Sequence, residues 1–236
     1  MPSRIKQCAI LVGGKGSRLG SETKDVPKPL LACPNRPFVA WQMELLARNG
    51  ITEFVLLAGH LSHKVAGSVS QLLRYLPHTV SIQLSIEDKP LGTGGALLHA
   101  RKRLDDRFLL FNGDTFFNTD FAPLLENTST RACVLVRSVP DTQRYGLLTV
   151  NGRHVTAIDK GTPFPGLINS GFYSLHRSVL DYATPKCSLE KLVLPRLIKN
   201  EELGYSPAFG YFCDIGIPDD LQRARNYFSF LESLKE

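Results

Sequence analysis

Residues 9–29 read AILVGGKGSRLGSETKDVPKP. A short apolar run, Ile10-Leu11-Val12, opens into Gly13-Gly14-Lys15-Gly16-Ser17-Arg18, and Pro27-Lys28-Pro29 follows. A buried strand that ends in a glycine-rich loop lets backbone N–H groups turn toward a bound anion, because glycine lacks the Cβ that would block close approach. Arg18 and Lys28 put positive charge where phosphates would lie. The stretch reads as the first strand of an α/β fold with a phosphate-binding loop behind it, or, taken alone, an ordinary βα turn with scattered basic residues.

Two better-known phosphate loops do not fit. A Walker A loop needs glycine five positions before a Gly-Lys-Ser/Thr triplet, but Lys15 is followed by Gly16 and Ala9 holds the earlier position. A dinucleotide fingerprint counted from Gly14 and Gly16 needs glycine where Leu19 stands, and Pro27 and Pro29 interrupt any following helix. A dehydrogenase is therefore disfavoured.

Apolar runs suited to buried strands recur at 8–12, 53–58, 80–86, 107–112 and 131–137. Helical stretches lie between the first four: 37–49, bounded by Pro37 and Asn49-Gly50, then 61–76 and 93–103. That βαβα order predicts a mostly parallel sheet covered by helices on both faces. The second half changes character. Residues 146–150 and 153–158 flank Asn151-Gly152 as a β-hairpin, 167–175 reads as a further strand, and helices are expected at 188–199, begun by Ser188, and at 218–233, begun by Pro218. The 236 residues predict one domain, with a nucleotide-binding half over about 1–130 and a substrate-binding half over about 131–236.

Hydrophobic content of 43% with 21% charged residues belongs to a soluble globular chain, and no apolar run reaches the length that spans a bilayer. The opening Met-Pro-Ser-Arg-Ile-Lys-Gln has no signal-peptide core, so the cytoplasm is expected. Cys8, Cys33, Cys133, Cys187 and Cys213 are odd in number and form no CxxC pair, which points to reduced, packed thiols. The net charge of +6 comes from dispersed Lys and Arg; the densest cluster, Arg101-Lys102-Arg103, ends a helix where cations favour the dipole. Small phosphorylated ligands account for this excess without nucleic acid.

In open α/β sheets ligands bind beyond the carboxyl ends of the strands. The residues there form a coherent set: the glycine loop, Gly59-His60, Glu87 through Gly95, and Asn112-Gly113-Asp114. Asp114 suits a Mg²⁺ ion that takes few protein oxygens, and Asp214, in Tyr211-Phe-Cys-Asp-Ile-Gly216, repeats the arrangement a hundred residues later. Each aspartate alone also reads as a turn or cap residue. Leu91-Gly-Thr-Gly-Gly95 offers flat backbone to a base and ribose, or a helix start capped by Thr93. Asp159-Lys160 suits a phosphorylated sugar, or is a solvated surface pair. His60 and His63 have HxxH spacing that one polar helix start explains without metal.

Taken together, GGKGSR, PKP, LGTGG, NGD, the acid-Lys pair and CDIG resemble, in order and along almost the whole chain, the sugar-1-phosphate nucleotidylyltransferases. Within that family the chain is most similar to the D-glycero-α-D-manno-heptose 1-phosphate guanylyltransferases, through Lys24–Pro29, Pro90–Gly95, Asn112–Phe117, Arg144–Gly146, Gly166–Asn169 and Asp214–Gly216. The resemblance implies a Rossmann-like nucleotidyltransferase fold: a mixed, mostly parallel sheet flanked by helices, with a β-rich sugar-binding extension. It implies a nucleotide site of Leu11, Gly13, Gly14, Gly16, Ser17, Arg18, Glu87, Gly92, Thr93, Gly94, Asn112 and Asp114. Tyr145, Gly146, Asp159, Lys160 and Asn169 would hold the sugar phosphate, Asp114 and Asp214 would hold Mg²⁺, and Arg18, Lys28 and Asp114 would act at the reacting centre.

The implied substrates are a nucleoside triphosphate, GTP first, and a sugar 1-phosphate, heptose first, for a capsule, lipopolysaccharide or surface-layer glycan. Mannose, glucose or N-acetylmuramate 1-phosphate are the alternatives, and a catalytically silent nucleotide-sugar-binding regulator is the alternative of another class. The family's usual Glu-Lys pair is here Asp159-Lys160, which leaves the sugar more open than the reaction. No nucleic-acid or membrane partner is expected, and a homo-oligomer is compatible with the sequence. With one helix at its C-terminus, the chain is similar to short members that lack an acyltransferase or left-handed β-helix domain.

Overall fold

The structure, a computed structural model, describes residues 4–127 and 129–234; Met1–Ser3 of the opening segment lie outside them. Strand β1 (Gln7–Leu11) sends Cys8 and Ile10 into one apolar layer and Ala9 into the opposite one. A strand buried on both faces needs helices on both. It pairs in parallel with β2 (Glu53–Ala58) on one side and β4 (Arg107–Asn112) on the other, and β3 (Ser81–Ile86) lies parallel beyond β2. Between them run α1 (Phe38–Arg48), α2 (Ser62–Leu73) and α3 (Gly92–His99). Helices α1 and α2 bury Val39, Met43, Val65 and Leu72 on the Ile10 face, whereas α3 buries Leu97 on the Ala9 face. α1 starts behind the extended Pro37 and stops at Asn49, where Gly50 takes φ 94°, the left-handed turn glycine allows.

The chain continues through β5 (Thr115–Asn118), α4 (Ala122–Leu125), β6 (Ala132–Val139), the hairpin β7 (Gly146–Asn151) and β8 (His154–Lys160), then β9 (Gly166–His176). A wide π-turn over Leu189–Val193 leads into α5 (Leu194–Lys199), followed by β10 (Leu203–Pro207), β11 (Tyr211–Asp214) and α6 (Pro218–Ser233). Ser188 opens the π-turn by accepting from Lys191 N at 3.2 Å. Pro195, which has no N–H to continue an α-helical ladder, follows the widened turn.

Nine strands form one sheet in the order β3-β2-β1-β4-β9-β6-β10-β8-β7. Parallel pairing holds across β3-β2-β1-β4 and again for β6-β10, while β9 runs antiparallel to β4, β6 and β7. The parallel excess expected from βαβα order is thus a property of the first half; in the second half hairpin connectivity makes every pair but β6–β10 antiparallel. A separate pair, β11 against β5, joins the two halves of the chain.

Three further expectations are corrected. β3 is an edge strand with alternating exposure, because its outer side has no neighbour, so 80–86 is not a buried strand. The hairpin turn centres on Gly152-Arg153, with Asn151 paired to His154 and a bulge between Thr149 and Val150 that shifts the register by one. The predicted helix 93–103 ends at His99 and finishes in a tight 3-10 turn.

Candidate active site

Strand order reverses at β1, which has β2 on one side and β4 on the other, and such a switch point opens a crevice at the carboxyl ends. A cavity of about 770 Å³ occupies it. It is lined by Gly13, Gly14 and Lys15 after β1, by Gly59 and His60 after β2, by Glu87 to Pro90 after β3, by Asn112 and Asp114 after β4, and by Lys28. The residues behind the first four apolar runs therefore share one rim. Glycine is needed here for close approach: a Cβ on Gly13 would stand 2.8 Å from Gly59 N.

Two carboxylates meet at one end of the crevice. β11 pairs antiparallel with β5 so that Asp214 lies opposite Thr115, and Ile215 N donates to Asp114 O at 3.0 Å. Lys28, whose side chain is 10% exposed, forms an ion pair with Asp114 Oδ2. Asp214 Oδ1 is buried without a hydrogen-bond partner. Burial and the charge of Asp114 push the Asp214 carboxyl up, against the pull of Lys28 and Arg18. Arg18 closes this end: a Cβ on Gly216 would stand 2.9 Å from Asp214 Oδ1 and 3.3 Å from Arg18 Nη2.

An orphaned carboxylate oxygen beside a second carboxylate fits a hard cation. Among the described residues no third His, Cys, Asp or Glu completes a cluster, so such an ion would draw its other oxygens from phosphate and water. That donor set suits Mg²⁺, which keeps several water or phosphate ligands.

Leu11, Gly13, Gly14, Lys28, Glu87, Gly92, Thr93, Asn112 and Asp114 all line the cavity. Gly16, Ser17 and Arg18 do not line it; Gly16, with φ 64°, leads into a 3-10 turn over Ser17–Thr23, where Thr23 Oγ1 donates to Gly16 O at 3.0 Å. Thr93 does not cap α3. Its hydroxyl accepts from Leu189 N and donates to Glu190 Oε2, both at 2.8 Å. Gly94 lies off the cavity, since its N–H and that of Gly95 donate to Cys187 O at 3.0 and 3.1 Å. The LGTGG segment thereby docks residues 187–190, which bring Glu190 to the cavity wall.

The expected sugar-phosphate residues gather at one end of the hairpin. Gly146 pairs with Lys160, and Leu147 pairs with both Asp159 and Ile168. Asn169 Oδ1 accepts from Gly171 N at 2.9 Å, and the Tyr145 ring lies 6.3 Å from Phe212. None of Tyr145, Gly146, Asp159, Lys160 and Asn169 lines the 770 Å³ cavity; they stand outside it.

Two supporting contacts escaped the sequence reading. Buried Gln42 on α1 donates to Asn112 O at 3.0 Å and Thr115 O at 2.6 Å, clamping the turn that carries Asp114. Its signal was a polar residue on the apolar face of Phe38–Met43. Arg144 reaches Asp220 at 2.6 Å, tying the segment before β7 to the first turn of α6.

A glycine loop thus stands at a switch point, with Arg18 and Lys28 beside two neighbouring aspartates. The chain belongs to the Nucleotidyl transferase family, which it matches over residues 8–229. It is 32% identical over 226 residues to the D-glycero-alpha-D-manno-heptose 1-phosphate guanylyltransferase of Aneurinibacillus thermoaerophilus, covering 93% of this chain and 96% of that one. The protein of the same description from Campylobacter jejuni is 34% identical over 229 residues, covering 95% and 98%. A Debaryomyces hansenii mannose-1-phosphate guanyltransferase is 34% identical over 224 residues, 89% of this chain but 61% of the relative. The crystal structure of HddC from Yersinia pseudotuberculosis complexed with GMP-PN superposes with a TM-score of 0.83 at 33% identity, covering 95% of this chain and all of the other.

Proposed function

We propose that the protein transfers a guanylyl group from GTP to D-glycero-α-D-manno-heptose 1-phosphate, giving GDP-heptose and pyrophosphate. The observation that carries this reading is the convergence of Arg18, Lys28, Asp114 and Asp214 at the end of a nucleotide-sized crevice. The heptose relatives, matched over nearly the full length of both chains, favour that acceptor over mannose.

An acceptor phosphate oxygen attacks the α-phosphorus of GTP in line, and the bond to pyrophosphate breaks. A phosphate monoester has its second pKa near ~6, so it is largely dianionic at neutral pH and needs no general base. The protein's part is to align two phosphates and to offset their charge. Backbone N–H groups of Gly13 to Ser17 cradle the triphosphate, and Lys28 and Arg18 neutralise charge where the bond changes. Asp114 and Asp214 would hold Mg²⁺, which when bound supplies further charge neutralisation and orientation. Tyr145, Gly146, Asp159, Lys160 and Asn169 hold the acceptor on the hairpin side. We place this activity in the cytoplasm, where GTP is available; among the described residues no helix is long and apolar enough to cross a membrane.

The test is pyrophosphate release with Mg²⁺, crossing GTP, ATP, UTP, CTP and dTTP with heptose, mannose, glucose and N-acetylmuramate 1-phosphates. Release confined to GTP with heptose 1-phosphate is the expected result. Release with another pair moves the substrate assignment, and nucleotide binding without release on any pair overturns the enzymatic reading.

A further inference from the structure

Arg137 is a cation for which no anionic partner stands among the described residues. β6 is antiparallel to β9, and β9 to β4, so the carboxyl end of β6 lies at the same edge of the sheet as Asn112 and Asp114. Arg137 sits at that end. Its register partner is Ile168, whose other neighbour is Leu147, next to Tyr145-Gly146. The guanidinium lies 5.0 Å over the ring of Phe212, two residues before Asp214 on β11 and on the same face of that strand.

Arg137 Nη1 is sealed from solvent with no hydrogen-bond partner, although the side chain as a whole is only half-buried. Among the described residues no carboxylate pairs with it, whereas Arg131, Arg144, Arg177 and Arg223 each have one. An unsatisfied buried donor is costly, and a guanidinium held against an aromatic ring is a fork positioned for a dianion. The Tyr145 phenol is pushed up by burial, Asp214 and Asp220 and pulled back by Arg144 and Arg137.

We infer that Arg137 grips the phosphate of the acceptor, a phosphate monoester carried by a sugar. The glycine loop and Lys28 approach the aspartate pair from the β1 side, and Arg137 approaches it from the β6–β7 side. An in-line transfer needs its two phosphates on opposite sides of the reacting bond, so the triphosphate takes the first set and the acceptor takes Arg137. This rests on the proposed transferase reading and adds the residue that reads the acceptor's charge.

Arg137→Met keeps the apolar contact with Phe212 and removes the fork; Arg137→Lys keeps the charge alone. Relative to the unaltered enzyme, Arg137→Met is expected to raise KM for the sugar 1-phosphate about tenfold or more. KM for GTP should stay within about twofold, and Arg137→Lys should recover part of the loss. An unchanged acceptor KM, or an equal rise for GTP, overturns the inference. The unpaired guanidinium predicts that Tm does not fall in Arg137→Met; should that variant fail to fold, Arg137→Lys carries the same comparison. If the unaltered protein releases no pyrophosphate with any pair, the transferase reading falls by itself. Calorimetric binding of heptose and mannose 1-phosphates then decides: weaker binding to the variant supports Arg137, and equal affinity, or no binding to the unaltered protein, overturns it.

Discussion

Asp214 is a carboxylate whose proton affinity is raised by burial and by Asp114, against the pull of Lys28 and Arg18. A folded-state pKa above the unfolded value means that the ionised group opposes folding at neutral pH. Asp214→Asn is therefore expected to raise Tm of the metal-free protein while lowering turnover by at least on the order of 10²-fold. Mg²⁺ should raise Tm of the unaltered protein and leave that of the variant nearly unmoved, because an ion bound only by the folded state stabilises it. Thermal melts with and without Mg²⁺ check both; a fall in Tm for the metal-free variant would refute the argument. Asp114 and Asp214 were each legible as carboxylates at strand ends. Their meeting was legible only through the family resemblance, because locally it depends on β5 and β11, strands of four residues whose register is set across the chain. Arg137 and Gln42 carried no local motif and became visible only through what they face.

At the scale of elements, the glycine loop and the LGTGG segment work as close contacts between neighbouring backbones. Gly13→Ala would drive a methyl group onto Gly59 N, and rigid backbone cannot yield as a side-chain tip can. The expected cost is about 1–3 kcal/mol in denaturant unfolding, with weaker GTP binding in equilibrium titration. Thr93→Val removes the acceptor for Leu189 N and the donor to Glu190. That should cost about 1–2 kcal/mol and speed hydrogen exchange at residues 189–193; unchanged protection there would contradict the docking role. Helices were legible because Pro37, Ser188 and Pro218 mark their starts. β10 escaped because Gly204 and Pro207 disguise it, and only pairing with β6 reveals it as a strand.

Over the whole molecule, α6 covers the end of the sheet that carries the aspartate pair. Phe228 stacks on Trp41 with ring centres 4.5 Å apart and meets Phe116 of β5 edge-on at 5.0 Å. Cys213 of β11 belongs to the same buried cluster, and burial pushes its thiol up to about 12. Phe228→Ala should cost about 3–5 kcal/mol, read from urea unfolding. It should also speed alkylation of Cys213 and depress turnover together, since loosening α6 exposes the strand that presents Asp214. Loss of stability with Cys213 still unreactive would separate the cover from the site.

The β5–β11 pair also orders events in time. A ribosome delivers the glycine loop, Lys28 and Asp114 long before β11, and Asp214 joins Asp114 only when Ile215 closes its bond to the far strand. Chains still being synthesised can own most of a triphosphate cradle and yet lack the second carboxylate. If both aspartates serve as proposed, the site is complete only once β11 has paired with β5, so a half-made copy would not spend GTP.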